Sequence, residues 1–164
     1  MAKTWRTEIS GFESGAEHGR TPTDGPPWAL SVKQPWAAPL VAGLKSIEIR
    51  TWPTPRRGPI LIHAGRLPDD RPEGWALVAT PELRALADLR GGLIGVAELT
   101  ECRVYTTPER FAAECESHRN AAGWFVPPRL YGFVFRDPRP IEYHACRGKT
   151  LFFRVDSGSG ERPV

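Results

Sequence analysis

Long apolar runs are missing from this chain. No stretch approaches the length needed to cross a bilayer. The opening Met-Ala-Lys-Thr-Trp-Arg has no signal-peptide apolar core. These absences read as a cytoplasmic protein with no membrane partner. Cysteine is scarce: Cys102, Cys115 and Cys146 cannot all pair within the chain, and no two sit at CxxC spacing. That pattern argues for reduced, ordinary thiols and against a zinc or other metal site. Local catalytic and cofactor signatures are absent too. There is no GxSxG, no HExxH, no P-loop and no Gly-rich dinucleotide turn. No cofactor is expected.

What is present is globular. The 164 residues are 40% hydrophobic and 25% charged, which suits one domain with a sizeable core. The net charge of +3 is modest, but its distribution is uneven. Lys45, Arg50, Arg56, Arg57 and Arg66 form one basic segment, opposed only by Glu48. Arg129, Arg136, Arg139, Arg147 and Lys149 form another, opposed by Asp137 and Glu142. Residues 67–119 between them hold ten acids and six arginines. The basic segments fit either one electropositive surface for a polyanion or separate solvated faces.

Residues 1–27 mix Gly, Ser, Thr, Pro and charge without clear periodicity and read as a flexible N-terminal arm. Trp5, Ile9 and Phe12 are the residues that would pin it to the body. Alternation predicts strands at 28–33, 46–52, 59–64, 93–99 (running on toward Val104), 131–135, 141–144 and 151–155. Asp137-Pro-Arg-Pro140 is expected to break the chain between the fifth and sixth of these. A short helix is predicted to end at Gly43, another to open at Pro81, and a third to start with Thr107 as cap and Pro108 in the first turn. The tail from Asp156 is Gly/Ser-rich and reads as disordered. Short strands with helices between them favour an α+β fold: a small mixed β-barrel with short helices on its rim.

The stretch Gly43-Leu-Lys-Ser-Ile-Glu-Ile-Arg-Thr-Trp52 is the most informative. In a strand Ile47, Ile49 and Thr51 face one way, while Glu48, Arg50 and Trp52 face the other. A half-buried strand needs only the first face; the second reads as a binding surface.

Ala-Leu-Ser-Val-Lys-Gln-Pro-Trp36, then GxKxxExR at Gly43, Lys45, Glu48 and Arg50, then Gly58-Pro-Ile-Leu-Ile-His-Ala64, resemble the ASCH domain, a branch of the PUA-like superfamily. Gly95-Val-Ala-Glu98, Tyr131-Gly-Phe133 and Arg147-Gly-Lys149 extend the resemblance over residues 28–155. It implies a barrel of five or six strands with the GxKxxExR segment lining a cleft. It also implies a partner: RNA, or a nucleotide or modified nucleoside. Some members are linked to coactivation and so to protein partners. A few bacterial ones are nucleases or amidohydrolases acting on N4-acetylcytidine. Those amidohydrolases match the motif lysine but carry Thr where this chain has Glu48.

Three roles fit Lys45 beside Glu48: contact to a phosphate or other ligand, internal ion pairing, or catalysis as a hydrolase pair, with Glu98 as a possible third member. A nearby carboxylate favours the charged ammonium, and so binding over nucleophilic attack. Arg50 suits a bidentate contact to phosphate or a base edge, or a salt bridge to Glu48 or Glu98. Trp36 and Trp52 are either stacking surfaces for an unpaired base or core residues. Arg56 and Arg57, in a Pro-stiffened loop, are the expected nonspecific backbone contacts, with Arg147 and Lys149 completing the surface. His63 faces away from Ile60 and Ile62; a lone histidine there is more often structural than a general base. Trp124 and Phe125 are candidate contacts for a protein partner.

Overall fold

A computed structural model describes residues 4–13 and 25–156, without the side chains of residues 10–13. Phe12's side chain and the tail beyond Asp156 therefore lie outside the described residues. Helix α1 spans Trp5–Glu13. After it come β1 (Trp28–Val32), α2 (Ala37–Ala42), β2 (Ile47–Arg50), β3 (Gly58–Ala64), α3 (Pro72–Ala76) and α4 (Pro81–Asp88). The chain continues through β4 (Gly92–Tyr105), α5 (Pro108–Ala112), α6 (Cys115–His118), a 3-10 turn at Ala122–Trp124, β5 (Leu130–Ala145) and β6 (Phe152–Arg154). No described helix is long and apolar enough to cross a membrane.

The helix ends follow local chemistry. Gly43 ends α2 at φ 82°, a left-handed conformation that glycine takes without Cβ strain. Thr80 and Thr107 accept hydrogen bonds from the Leu83 and Arg110 amides, each 3.2 Å away, and a proline follows each cap. Pro39 falls in the first turn of α2, where its missing N–H costs nothing. Gln34 then ties this helix to α4. It accepts from the Ala38 amide at 3.2 Å and donates to the Leu86 and Leu89 carbonyls at 2.9 Å each.

The strands form one mixed sheet in the order β2-β5-β4-β3-β1-β6, with β1 and β3 parallel and the other pairs antiparallel. The sheet is buried on both faces. Leu40 and Val41 of α2 cover one, with Ile60, Ile62, Ile94 and Phe133. On the other, Trp5 of α1 packs with Leu61, Leu93, Val96 and Phe153. Burial of this kind is worth roughly 25 cal/mol per Å² of apolar surface, which is why β3 is apolar at nearly every position. Gly95 lets α2 approach: a Cβ there would stand 2.5 Å from a Val41 methyl.

Two expectations need correction. The break expected at Asp137-Pro-Arg-Pro140 is absent; β5 runs through it as one sixteen-residue strand. Glu98 pairs with Arg136 and Val96 with Arg139, so the register shift absorbs Asp137 (φ 51°) and Pro138 in a bulge where no ladder N–H is needed. The barrel is also not closed, since β2 and β6 remain edges among the described residues. These edge strands of four and three residues pair with β5 and β1 and not with each other. Side chains bridge the gap instead. Arg50 Nη2 donates to the Ser31 carbonyl at 2.8 Å, and Trp52 meets Phe152 edge-on at 5.6 Å.

Candidate functional site

Beside that gap lies a cleft of about 2250 Å³. Its walls are β2, the ends of β1 and β3 with the loop to Arg71, the turn around Trp124, and the segment from Tyr143 to Leu151. Eight cations line it (Lys33, Lys45, Arg50, Arg66, Arg71, Arg90, Arg147 and Lys149) against three carboxylates, Glu48, Asp69 and Asp70.

The GxKxxExR segment forms the deepest wall. Lys45 is 2% exposed. Its ammonium donates to the Ile47 carbonyl at 2.9 Å and the His118 carbonyl at 3.1 Å, and meets Glu48 Oε2 at 2.9 Å. It also lies 5.3 Å from the Trp36 ring centroid. Its three donors therefore have three internal acceptors. The two Glu48 oxygens are divided between Lys45 and Arg50, the latter at 3.2 Å. Burial pushes the Lys45 ammonium below its ordinary pKa, although Glu48 opposes the shift. Burial would raise the Glu48 carboxyl, but Lys45 and Arg50 outweigh it and hold the group below the usual carboxylate range.

Arg50 connects this buried knot to the cleft surface. It is one-fifth exposed, and its remaining contact is the Ser31 carbonyl across the open side of the sheet. Glu98 is on β4 opposite Pro59 and Arg136, away from the cleft lining.

The two tryptophans differ. Trp52 is half-buried on the cleft wall, edge-on to Phe133 at 5.0 Å. Trp36 is 5% exposed and reaches the cleft only marginally; its indole N–H donates to Asp69 Oδ2 at 3.0 Å. The basic residues separate as well. Arg147 and Lys149 are exposed and line the cleft. Arg56 and Arg57 lie outside the lining. The Arg56 guanidinium stacks 3.5 Å over Trp28, and Arg57 Nη1 donates to the Thr54 and Arg56 carbonyls.

His63 lines the cleft but is bound on both ring nitrogens. Nε2 donates to the Cys146 carbonyl at 3.0 Å, and Nδ1 is 3.0 Å from Ser31 Oγ. Burial lowers its pKa, against the hydrogen bond to Cys146, and so favours the neutral ring. This histidine pins the 146–149 segment to β1 and β3. Gly148 fits over it so closely that a Cβ would stand 2.5 Å from His63 Cε1.

Lys33, Arg66, Arg71 and Arg90 escaped the sequence reading as cleft residues. Each follows a strand or flanks a helix, and only the crossover from β1 to β3 and the β3–β4 pairing bring them together. Trp124 and Phe125 are half-buried. Trp124 faces the cleft under Arg71, while Phe125 packs against the Tyr105–Phe111 cluster. Among the described residues no group of three or more His, Cys, Asp or Glu is placed to hold a metal.

The ASCH domain family model matches residues 30–142. Activating signal cointegrator 1 from Homo sapiens is 39% identical over 104 residues, and that from Mus musculus 40% over 105. Each match takes in 59% of this chain but only 16% of the relative's length. Among solved structures, an ASCH protein from Zymomonas mobilis superposes with a TM-score of 0.55 at 16% identity, covering 79% of this chain and 87% of that one. A mutant form of it gives 0.56, covering 81% and 92%. At that identity the likeness speaks for the fold. With the family model covering residues 30–142 and the GxKxxExR segment on the cleft wall, the chain belongs to the ASCH domain family.

Proposed function

We propose that this chain binds RNA, or a nucleotide moiety of it, in the cleft beside β2. One observation carries the reading: cations outnumber carboxylates eight to three in the cleft, against 22 to 19 over the whole chain. A concave surface with that imbalance attracts a polyanion. The motif residues divide the work. Lys45 and Glu48 hold the wall in shape, Arg50 and Trp52 present its surface, and Arg147 and Lys149 supply charge for phosphates. The cointegrator relatives leave room for a protein partner on another face.

Titration of a labelled single-stranded RNA at several salt concentrations tests this. Affinity is expected to fall linearly on a log–log scale, and Arg147→Ala with Lys149→Ala to reduce the slope by roughly 1.4. Arg57→Ala, outside the cleft, is expected to leave it unchanged. Binding that ignores salt, or no binding at all, would refute the reading.

One observation favours a hydrolase acting on a modified nucleoside or RNA: Lys45, with its pKa lowered by burial, sits 2.9 Å from Glu48 on a cleft wall. The three acceptors on its ammonium oppose a nucleophilic role. Release of cytidine from N4-acetylcytidine, or cleavage of single-stranded RNA, by wild type but not by Lys45→Met would support this alternative. No turnover by wild type would end it.

A further inference from the structure

One part of the cleft wall is chemically unlike the rest. The Arg71 guanidinium carbon lies 3.5 Å above the Trp124 ring, a stacking distance. With one face on the indole, Arg71 is still 42% exposed, and both side chains line the cleft. The guanidinium plane is fixed in place. Nη1 donates to Asp69 Oδ2 at 3.0 Å, and the same oxygen accepts from Trp36 Nε1 at 3.0 Å. Asp69 is anchored in turn: its amide donates to the Gln34 carbonyl at 2.7 Å, and its carbonyl accepts from Trp75 Nε1 at 2.7 Å.

A phosphate would need the edge of the guanidinium, and Asp69 already occupies part of that edge. The free face offers a flat cationic surface backed by an aromatic ring. Its natural partner is another flat π system: a nucleobase that is not stacked within a duplex. We propose that the Arg71–Trp124 pair is the stacking platform for an unpaired base, and that the ligand is therefore single-stranded nucleic acid. This rests on the nucleic-acid reading above and narrows it. Base faces meet Arg71, while phosphates meet Arg147 and Lys149.

The test uses a fluorescein-labelled 12-nucleotide RNA of mixed sequence, alone and annealed to its complement, with anisotropy as the readout. The wild type is expected to bind the single strand and to bind the duplex at least tenfold more weakly. Arg71→Lys keeps the charge but removes the plane; Trp124→Ala removes the backing ring. Each is expected to weaken single-strand binding by roughly 5- to 150-fold with the salt slope unchanged. Trp124→Phe should recover part of the loss. If Trp124→Ala fails to fold, Arg71→Lys decides, its thermal midpoint serving as the folding control. Wild-type affinity in Arg71→Lys, a reduced salt slope in that variant, or equal binding of the duplex would overturn the platform while leaving the nucleic-acid reading intact. Failure of the wild type to bind either form would overturn both.

Discussion

Arg50 Nη2 donates to the backbone carbonyl of Ser31 at 2.8 Å, joining β2 to β1 where the sheet has no ladder between them. A side chain thus replaces the main-chain bonds that would close the ring. Arg50→Ala removes this bridge and one of the two cations on Glu48. A charge-assisted hydrogen bond of this kind is worth ~1.5–3 kcal/mol. We expect a loss of that size in urea unfolding. Arg50→Lys should recover only part of it, because a point charge does not reproduce the guanidinium fork.

Lys45→Met leaves Glu48 buried with Arg50 as its remaining cation. Breaking a buried pair from one side costs about 3–5 kcal/mol, and the surviving arginine should reduce that toward the lower end. The double variant Lys45→Met, Glu48→Leu is expected to be more stable than the single one. Chemical denaturation of the three proteins measures this. A single variant as stable as wild type would mean that the Lys45–Glu48 pair contributes no net stability.

His118 is buried with both nitrogens committed in the neutral tautomer. Nε2 donates to the Phe111 carbonyl at 2.8 Å, and Nδ1 accepts from the Asn120 amide at 3.0 Å. A proton on Nδ1 would face that N–H. Burial lowers its pKa; Lys45 adds to the shift, while Glu114 opposes it. His63 shifts the same way through burial. The unfolded chain therefore takes up protons first as pH falls below about 6.5. Stability is full above that point and declines as pH drops through the folded-state values, by at most ~1.4 kcal/mol per pH unit for each histidine. A second decline follows in the carboxylate range, where Glu48 and Asp69 are held low. Thermal midpoints between pH 7.5 and 4 should show the first decline, and His118→Gln should make it shallower.

The strands and three of the six described α-helices were legible because their signals are local. Alternation marked β1 to β3, Gly43 marked the end of α2, and Thr107-Pro108 marked the start of α5. Where long-range pairing decides the outcome, the sequence misled. The prolines at 138 and 140 resemble a strand end, yet a bulge against Val96 and Glu98 accommodates Pro138, and Pro140 sits opposite Gly95. The site was half legible. The polar face of β2 identified the cleft wall, but nothing local shows that Lys45 is buried in it. The pair Arg56-Arg57 reads from sequence as a nonspecific backbone contact, and folding stacks Arg56 on Trp28 and leaves both outside the cleft lining. Arg71 and Trp124 are 53 positions apart, and each is unremarkable alone.

Lys45's internal acceptors have a consequence for comparing chains that carry this motif. A residue whose donors all point inward reports the architecture of the wall more than the identity of a guest. In this chain the loops at 65–71, 120–126 and 146–150 line the same cleft, and on the proposed reading they, and not the motif lysine, would set what it admits. Ligand preference would then diverge by loop exchange, with the motif left untouched.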